Sequence, residues 1–347
     1  MKALRAFTVA VTCVGALLSA PVGCRPKKQT LHVFTWSDYF PEEVVLRFEQ
    51  EADVRVVLDT YENNEDLVAK LQTGATGYDL IVPSDYAVQQ LAQLGLLEPL
   101  DAANIPNLAG VDGRFLRQYF DPHNTYSVPY LWGTAGIAYE ATKVKPAPSS
   151  WAVLWDGKYA DNINMLDDMR EVFAVAHKRL GSSVNTTEPA AIRAAKDLLI
   201  QQKPLVRSYT TETDTLMLSG QVALTHAWSG DVFRVAEENP NWRYVIPAEG
   251  STFFMDNIAV PKGAPHKALA ETFVDFVLRP ENIAAVTAFT HYANCVPASV
   301  VHLPEALRKN PLIFPSDEVL GRLESLKRLG DAEVLYGDAW TAVKSAR

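Results

Sequence analysis

The sequence predicts an α/β protein of two lobes, each a mixed β-sheet flanked by helices, with crossing strands joining them. Three observations carry that prediction. Strand-like and helix-like segments alternate from Leu31 onward, and a second alternating run fills residues 147–247. Two extended apolar segments, Pro129 to Tyr139 and Phe253 to Val260, stand apart from these runs and read as passages between lobes. The length, 347 residues, suits two domains.

Leu31 to Thr35 is strand-like, and Glu42 to Gln50 places Val44, Val45 and Phe48 at helical spacing. Val54 to Leu58 is short and β-branched. Asn64 to Leu71 is helical with an Asn cap, Tyr78 to Val82 is an apolar run stopped by Pro83, and Val88 to Leu94 is a helix ending at Gly95. Such alternation implies parallel pairing with helices on both faces. Leu131 to Tyr139 is extended with small residues in its middle; a single buried strand of one larger domain is the alternative to a crossing. Beyond it come a strand at Ile163 to Leu166, helices at Glu171 to Leu180 and Pro189 to Gln201, a strand at Val222 to Ala227 and a helix at Val232 to Glu238. Helices at Ala268 to Leu278 and Ile283 to Phe289 follow the second passage. Two crossings between two lobes make a hinge, and a hinge makes a closing cleft.

The N-terminus reads as an export signal: Lys2 and Arg5 are basic, Ala6 to Leu18 is apolar, and Pro21-Val22-Gly23-Cys24 is a small-residue end. A Cys directly after Gly points to cleavage and lipid attachment at Cys24, although Pro21 departs from the usual lipoprotein pattern. Ordinary secretion or an uncleaved anchor are the alternatives. With Cys13 removed and Cys24 acylated, only Cys295 remains and no internal disulfide forms. Loss of Lys2 and Arg5 takes the formal charge from -9 to -11 (-9 - 2), which argues against nucleic acid and mildly favours a cationic partner.

Aromatic rings and carboxylates recur just after the strands. Thr35-Trp36-Ser37-Asp38-Tyr39, Pro83-Ser84-Asp85-Tyr86, Asp167-Asp168-Met169-Arg170-Glu171, Ala227-Trp228-Ser229-Gly230-Asp231 and Phe253-Phe254-Met255-Asp256 share this pattern. Ring faces and anionic oxygens attract the same ligand, an organic cation with an alkyl body. Strand ends are where open α/β sheets hold ligands. Each segment also has a local explanation. Trp36 and Tyr39 could be core, and Asp168 with Glu171 has the spacing of a helix capping box. Asp256 is harder to explain locally, since a lone carboxylate in an apolar strand needs a partner.

Enzyme signatures are missing: no G-x-S-x-G, G-x-G-x-x-G or P-loop occurs, and the seven His residues lack metal-ligand spacing. His226, in Thr225-His226-Ala227-Trp228, is the one His near a cleft segment and reads as structural. No nucleophile or oxyanion hole accompanies Asp168 and Glu171. Catalysis, cofactors and metals are therefore not expected.

Ordered motifs from Leu31 to about Tyr292 then carry a resemblance. They include Phe34-Thr35-Trp36-Ser37-Asp38-Tyr39, Thr60-Tyr61-Glu62-Asn63-Asn64-Glu65, Tyr78-Asp79-Leu80-Ile81-Val82-Pro83-Ser84 and Phe120-Asp121-Pro122. Ser127-Val128-Pro129-Tyr130-Leu131-Trp132-Gly133 and Asp167-Asp168-Met169-Arg170-Glu171-Val172-Phe173 continue the series. The chain resembles the periplasmic spermidine/putrescine-binding proteins of bacterial ABC polyamine importers. That resemblance implies a type II periplasmic-binding-protein fold, divided as a signal over 1–23, a tether over 24–30, an N-terminal lobe of 31–133 plus 257–301, and a C-terminal lobe of 134–256 plus 302–347. It implies one wall of Trp36, Ser37, Tyr39, Ser84 and Tyr86, and another of Asp168, Glu171 and Trp228; Asp85, in the second of the segments above, is a further ligand-binding candidate. Asp256 and Tyr292 fall near the hinge, with Phe254 where the family usually has Trp. Where the family often has a Gln, Lys327 aligns, which would repel a third ammonium and favour putrescine over spermidine. The implied partners are a polyamine, an ABC permease with its ATPase, and a bacterial membrane reached through the lipid on Cys24, on the periplasmic side. The same fold holding another small cationic solute is the alternative.

Overall fold

The structure is a computed structural model and describes residues 28–74 and 77–346. The export signal and Cys24 lie outside the described residues. Among the described residues the strands are β1 (Thr30–Thr35), β2 (Arg55–Thr60), β3 (Leu80–Ile81), β4 (Ser127–Glu140), β5 (Ile163–Met165), β6 (Val206–Tyr209), β7 (Leu224–Trp228), β8 (Trp242–Val245), β9 (Thr252–Ala259), β10 (Ala293–Asn294) and β11 (Glu324–Ser325). The helices are α1 (Glu42–Ala52), α2 (Asn64–Gln72), α3 (Asp85–Gln93), α4 (Met169–Leu180), α5 (Pro189–Gln202), α6 (Thr213–Ser219), α7 (Ser229–Glu238), α8 (Lys267–Val277), α9 (Pro280–Thr290), α10 (Glu305–Arg308), α11 (Asp317–Leu320) and α12 (Ala332–Ser345).

β4 organises the molecule. Its first half, Ser127 to Thr134, pairs antiparallel with β9, and its second half, Ala135 to Glu140, pairs with β7 and β8. Around the first half, β1 pairs parallel with β2 and β3, and β3 meets β9. Around the second half, β5 pairs parallel with β6 and β7. The strand order is β2-β1-β3-β9-β4-β7-β5-β6. One strand thus belongs to two sheet regions, and the chain passes back between them just before β9.

The β1-α1-β2-α2-β3-α3 run forms for the reasons its sequence gives. Val44 and Phe48 of α1 are buried, and Asn63 caps α2 by accepting from the Asp66 amide at 2.8 Å. Leu31, Val33, Leu80 and Ile81 are fully buried between helix layers, as parallel strands covered on both faces must be. β6, α6, β8 and α12 were not anticipated. α6 spans only seven residues and β6 and β8 four each, too short to show a period, whereas α12 packs against α5 and α4.

The small residues of β4 are steric requirements. A Cβ on Gly133 would lie 2.6 Å from Phe254 Cζ and 2.9 Å from Tyr292 Cδ1. We expect Gly133→Ala to displace both rings and weaken ligand binding by about ten-fold, with a smaller effect on melting temperature. Calorimetry on the purified variant checks this. Unchanged affinity would mean these two rings do not shape the site.

Candidate functional site

Three helices start at one place. α3 begins after Ser84, α4 after Asp168 and α7 after Trp228, and each carries a carboxylate in its first turn: Asp85, Glu171 and Asp231. A helix N-terminus is the electrically favoured position for a carboxylate, so each anion has a local reason to be there. What the fold adds is convergence. With the loop after β1 and the strand β9, these ends line a cavity of about 340 Å³.

Its lining includes Trp36, Ser37, Tyr39, Ser84, Asp85, Tyr86, Asp168, Glu171, Trp228, Phe254, Asp256 and Tyr292. Twelve of the thirteen ligand-binding positions expected from the sequence therefore share one cavity. Lys327 does not. Its side chain is exposed and its Nζ lies 5.4 Å from the Tyr119 ring centroid, while Leu326 faces the cavity. Consecutive residues of extended chain point to opposite sides, so a one-residue offset after β11 turns the lysine out. Repulsion of a third ammonium by Lys327 thus has no basis in this geometry.

Asp256 is deeply buried, at 2 % exposure. Ser84 Oγ donates to its Oδ1 at 2.6 Å and Tyr39 OH donates to its Oδ2. Both donors are neutral. Burial pushes its pKa up to about 6 against those two hydrogen bonds. Asp85 is buried further from help: Oδ1 accepts from the Tyr86 amide at 2.8 Å and Oδ2 has no partner. Burial raises its pKa well above the ordinary carboxylate range.

Asp168 and Glu171 form only half of the capping box their spacing allows. Asp168 Oδ1 accepts from the Glu171 amide at 2.9 Å, which caps α4. Glu171 does not complete the reciprocal box; its Oε2 accepts from Thr252 Oγ1 at 2.7 Å instead. Burial first, and the neighbouring Asp168 charge second, push the Glu171 pKa up. Among the described residues, no Lys or Arg nitrogen lies within ion-pair distance of Asp85, Asp168, Glu171 or Asp256.

The rings form the walls. Trp36 is anchored by Nε1 donating to the Val82 carbonyl at 2.9 Å, and it meets Tyr61 at a centroid separation of 4.6 Å. Across the cleft it meets Trp228 edge-on at 6.4 Å. Phe254 and Tyr292 pack edge-to-face at 5.5 Å, and Tyr39 lies 6.0 Å from Tyr292. Faces turned to a shared space suit an alkyl chain flanked by ammonium groups.

Sequence reasoning missed the outer rim. Asp38, Tyr61, Glu62, Asn64, Thr211, Glu212, Asp214, Thr215, Asp231 and Arg234 also line the cavity. Asp38 and Asp231 sit inside quoted segments, and Asp231, two residues into α7, was a readable signal. The Thr211–Thr215 stretch leads into an unpredicted helix. Arg234 is shared among Asp38 at 4.0 Å, Asp214 at 3.5 Å and Asp231 at 3.5 Å. Burial raises the pKa of Asp231 to about 6, with Arg234 opposing and Asp214 adding to the rise. The full lining holds nine carboxylates, namely Asp38, Glu62, Asp85, Asp168, Glu171, Glu212, Asp214, Asp231 and Asp256, against one guanidinium.

Comparison with known proteins gives the family and the fold. The bacterial extracellular solute-binding protein family matches residues 43–315. The chain belongs to that family. Among family relatives, the spermidine/putrescine-binding periplasmic protein of Salmonella typhimurium is 32% identical over 321 residues, covering 92% of each chain. A Listeria monocytogenes structure described as a spermidine/putrescine ABC transporter superposes with a TM-score of 0.89 at 32% identity, covering 92% of this chain and 100% of that one. The TpPotD lipoprotein of Treponema pallidum gives 0.83 at 30%, covering 91% and 99%. The architecture around β4 and β9 is the type II periplasmic-binding-protein fold expected from the sequence.

Proposed function

We propose that this solute-binding protein captures a polyamine in the cleft and delivers it to an ABC importer. One observation carries the reading: nine carboxylates face one guanidinium in a ring-walled cavity, and among the described residues four of the buried ones pair with no Lys or Arg. A terminal ammonium would pair with Asp256 beside Tyr39 and Ser84, and the other end with the Asp168 and Glu171 pair. Methylenes would pack on Trp36, Trp228 and Phe254. The regions on either side of the β4 partner switch would act as the two lobes, 31–133 plus 257–301 and 134–256 plus 302–347, closing on the ligand. Closure removes water and strengthens every ion pair inside. The relatives support the same ligand class and a receptor without catalysis.

The dication is favoured over the trication. Arg234 already answers Asp38, Asp214 and Asp231, so a third ammonium would meet that guanidinium and, apart from buried Asp85, only the exposed Glu62 and Glu212. Lipid attachment at Cys24 would hold the protein at the periplasmic face of a bacterial membrane; the lipoprotein nature of the Treponema relative supports it. No described helix is long and apolar enough to cross a bilayer. Calorimetric titration with putrescine and then spermidine tests ligand class and preference together. Micromolar or tighter putrescine binding, about -8 kcal/mol, is the expected result. Distinctly tighter spermidine binding would overturn the preference, and absence of both would overturn the reading.

A further inference from the structure

One buried group beside the cleft has no role in the fold or in the ligand set. His226 lies on β7 two residues before Trp228, so both side chains leave the same face of the strand. It is fully buried, and neither ring nitrogen has a hydrogen-bond partner. Buried polar atoms are left unpaired rarely and at a cost, so two on one ring require a reason. Trp151 meets the imidazole edge-on, centroids 5.4 Å apart at 88°, which sets the ring plane without satisfying a nitrogen. Nε2 lies 3.9 Å from Glu171 Oε2. That is beyond hydrogen-bond range, and a shift of about 1 Å closes it. Oε2 already accepts from Thr252 Oγ1, and a carboxylate oxygen has a second lone-pair site to offer.

We propose that His226 is a positioning residue for Glu171: its neutral Nε2–H donates to the Glu171 carboxylate when that carboxylate is ionised, holding it for a ligand ammonium. The final clause rests on the polyamine reading; the imidazole–carboxylate contact does not. Burial lowers the pKa of His226 to about 3, so the ring is a dipolar donor and not a cation competing with the ligand. The other groups facing Glu171 are Asp168 and Arg170 of α4, Asp85 of α3, Trp228 of β7, Tyr244 of β8 and Thr252 of β9. A hydrogen bond to the ionised form is roughly twice as strong as one to the neutral acid, so this donor favours ionisation.

The test is a carbon-13 NMR titration of the Glu171 carboxyl in the whole protein freed of amine, comparing wild type, His226→Phe and His226→Gln. Phe keeps the edge contact with Trp151 and lacks the donor, whereas Gln restores an N–H. Glu171 should titrate about one unit higher in His226→Phe and return toward wild type in His226→Gln. Putrescine affinity near neutral pH should fall about ten-fold in the Phe variant and recover in the Gln variant. Identical Glu171 titration in wild type and His226→Phe overturns the inference, as does a Gln variant that behaves like Phe. Should the Phe variant not fold, the imidazole proton of wild type decides. A slowly exchanging, downfield Nε2–H appearing as Glu171 ionises supports the contact, and its absence contradicts it. If wild type binds no polyamine, the functional reading fails while the titration still judges His226.

Discussion

Asp256→Asn should abolish measurable polyamine binding, a loss on the order of 100-fold or more, while the protein remains folded. The substitution keeps the shape of the side chain and removes the charge that Tyr39 and Ser84 hold in place. Truncating one partner of a buried, hydrogen-bonded ion pair costs about 2–5 kcal/mol, because the ammonium is then desolvated without a counter-ion. Among the described residues no Lys or Arg pairs with Asp256, so the empty fold loses no such ion pair. The melting temperature of the empty variant should therefore equal or exceed wild type near neutral pH. Calorimetry and thermal melts on the same preparation separate the two effects. Wild-type affinity in Asp256→Asn would remove the residue from the site, and a variant that unfolds would make its role structural.

The same residue predicts how stability and binding depend on pH. Burial raises the Asp256 pKa from 3.8 to about 6 in the empty fold. Between those values the folded chain keeps a proton that the unfolded chain releases. Its contribution to stability is fully present below the unfolded pKa and is lost as pH rises through the folded one. A shift of about two units corresponds to roughly 3 kcal/mol across that window. Other carboxylates, such as Glu324 beside Lys178, have lowered pKa values and act in the opposite sense at more acidic pH. The wild-type minus Asp256→Asn difference isolates the residue. Empty wild type should lose stability relative to the variant from about pH 4 to about pH 6 and stay lower above it. A bound ammonium favours the ionised carboxylate, so binding releases protons and tightens as pH rises through the same range. The rise in melting temperature on adding putrescine should be larger at neutral than at mildly acidic pH. A pH-independent difference, or a larger ligand effect in acid, would contradict the charge-pairing account.

Much of the cleft is legible in the sequence. Carboxylates at Asp85, Asp168 and Glu171 sit at helix starts for local reasons, and those reasons survive folding; Asp168 still caps α4. Convergence came from the motifs in sequence order. What escaped was the rim, where side chains meet through long-range contacts. Thr211 Oγ1 donates to Glu62 Oε2 across 149 residues of sequence, and Arg234 gathers three aspartates from three segments. Nothing in a local period encodes such meetings. Lys327 lies outside the cavity because its neighbour Leu326 takes the inward position, a side choice that no local period reveals.

Competition in one tube tests the central claim most directly. Native mass spectrometry of the amine-free protein, mixed with equal putrescine, an amino acid and a sugar, weighs whichever solute the cleft selects. The account predicts a single putrescine adduct that disappears in Asp256→Asn. An amino-acid or sugar adduct, or a putrescine adduct that persists in the variant, would contradict it.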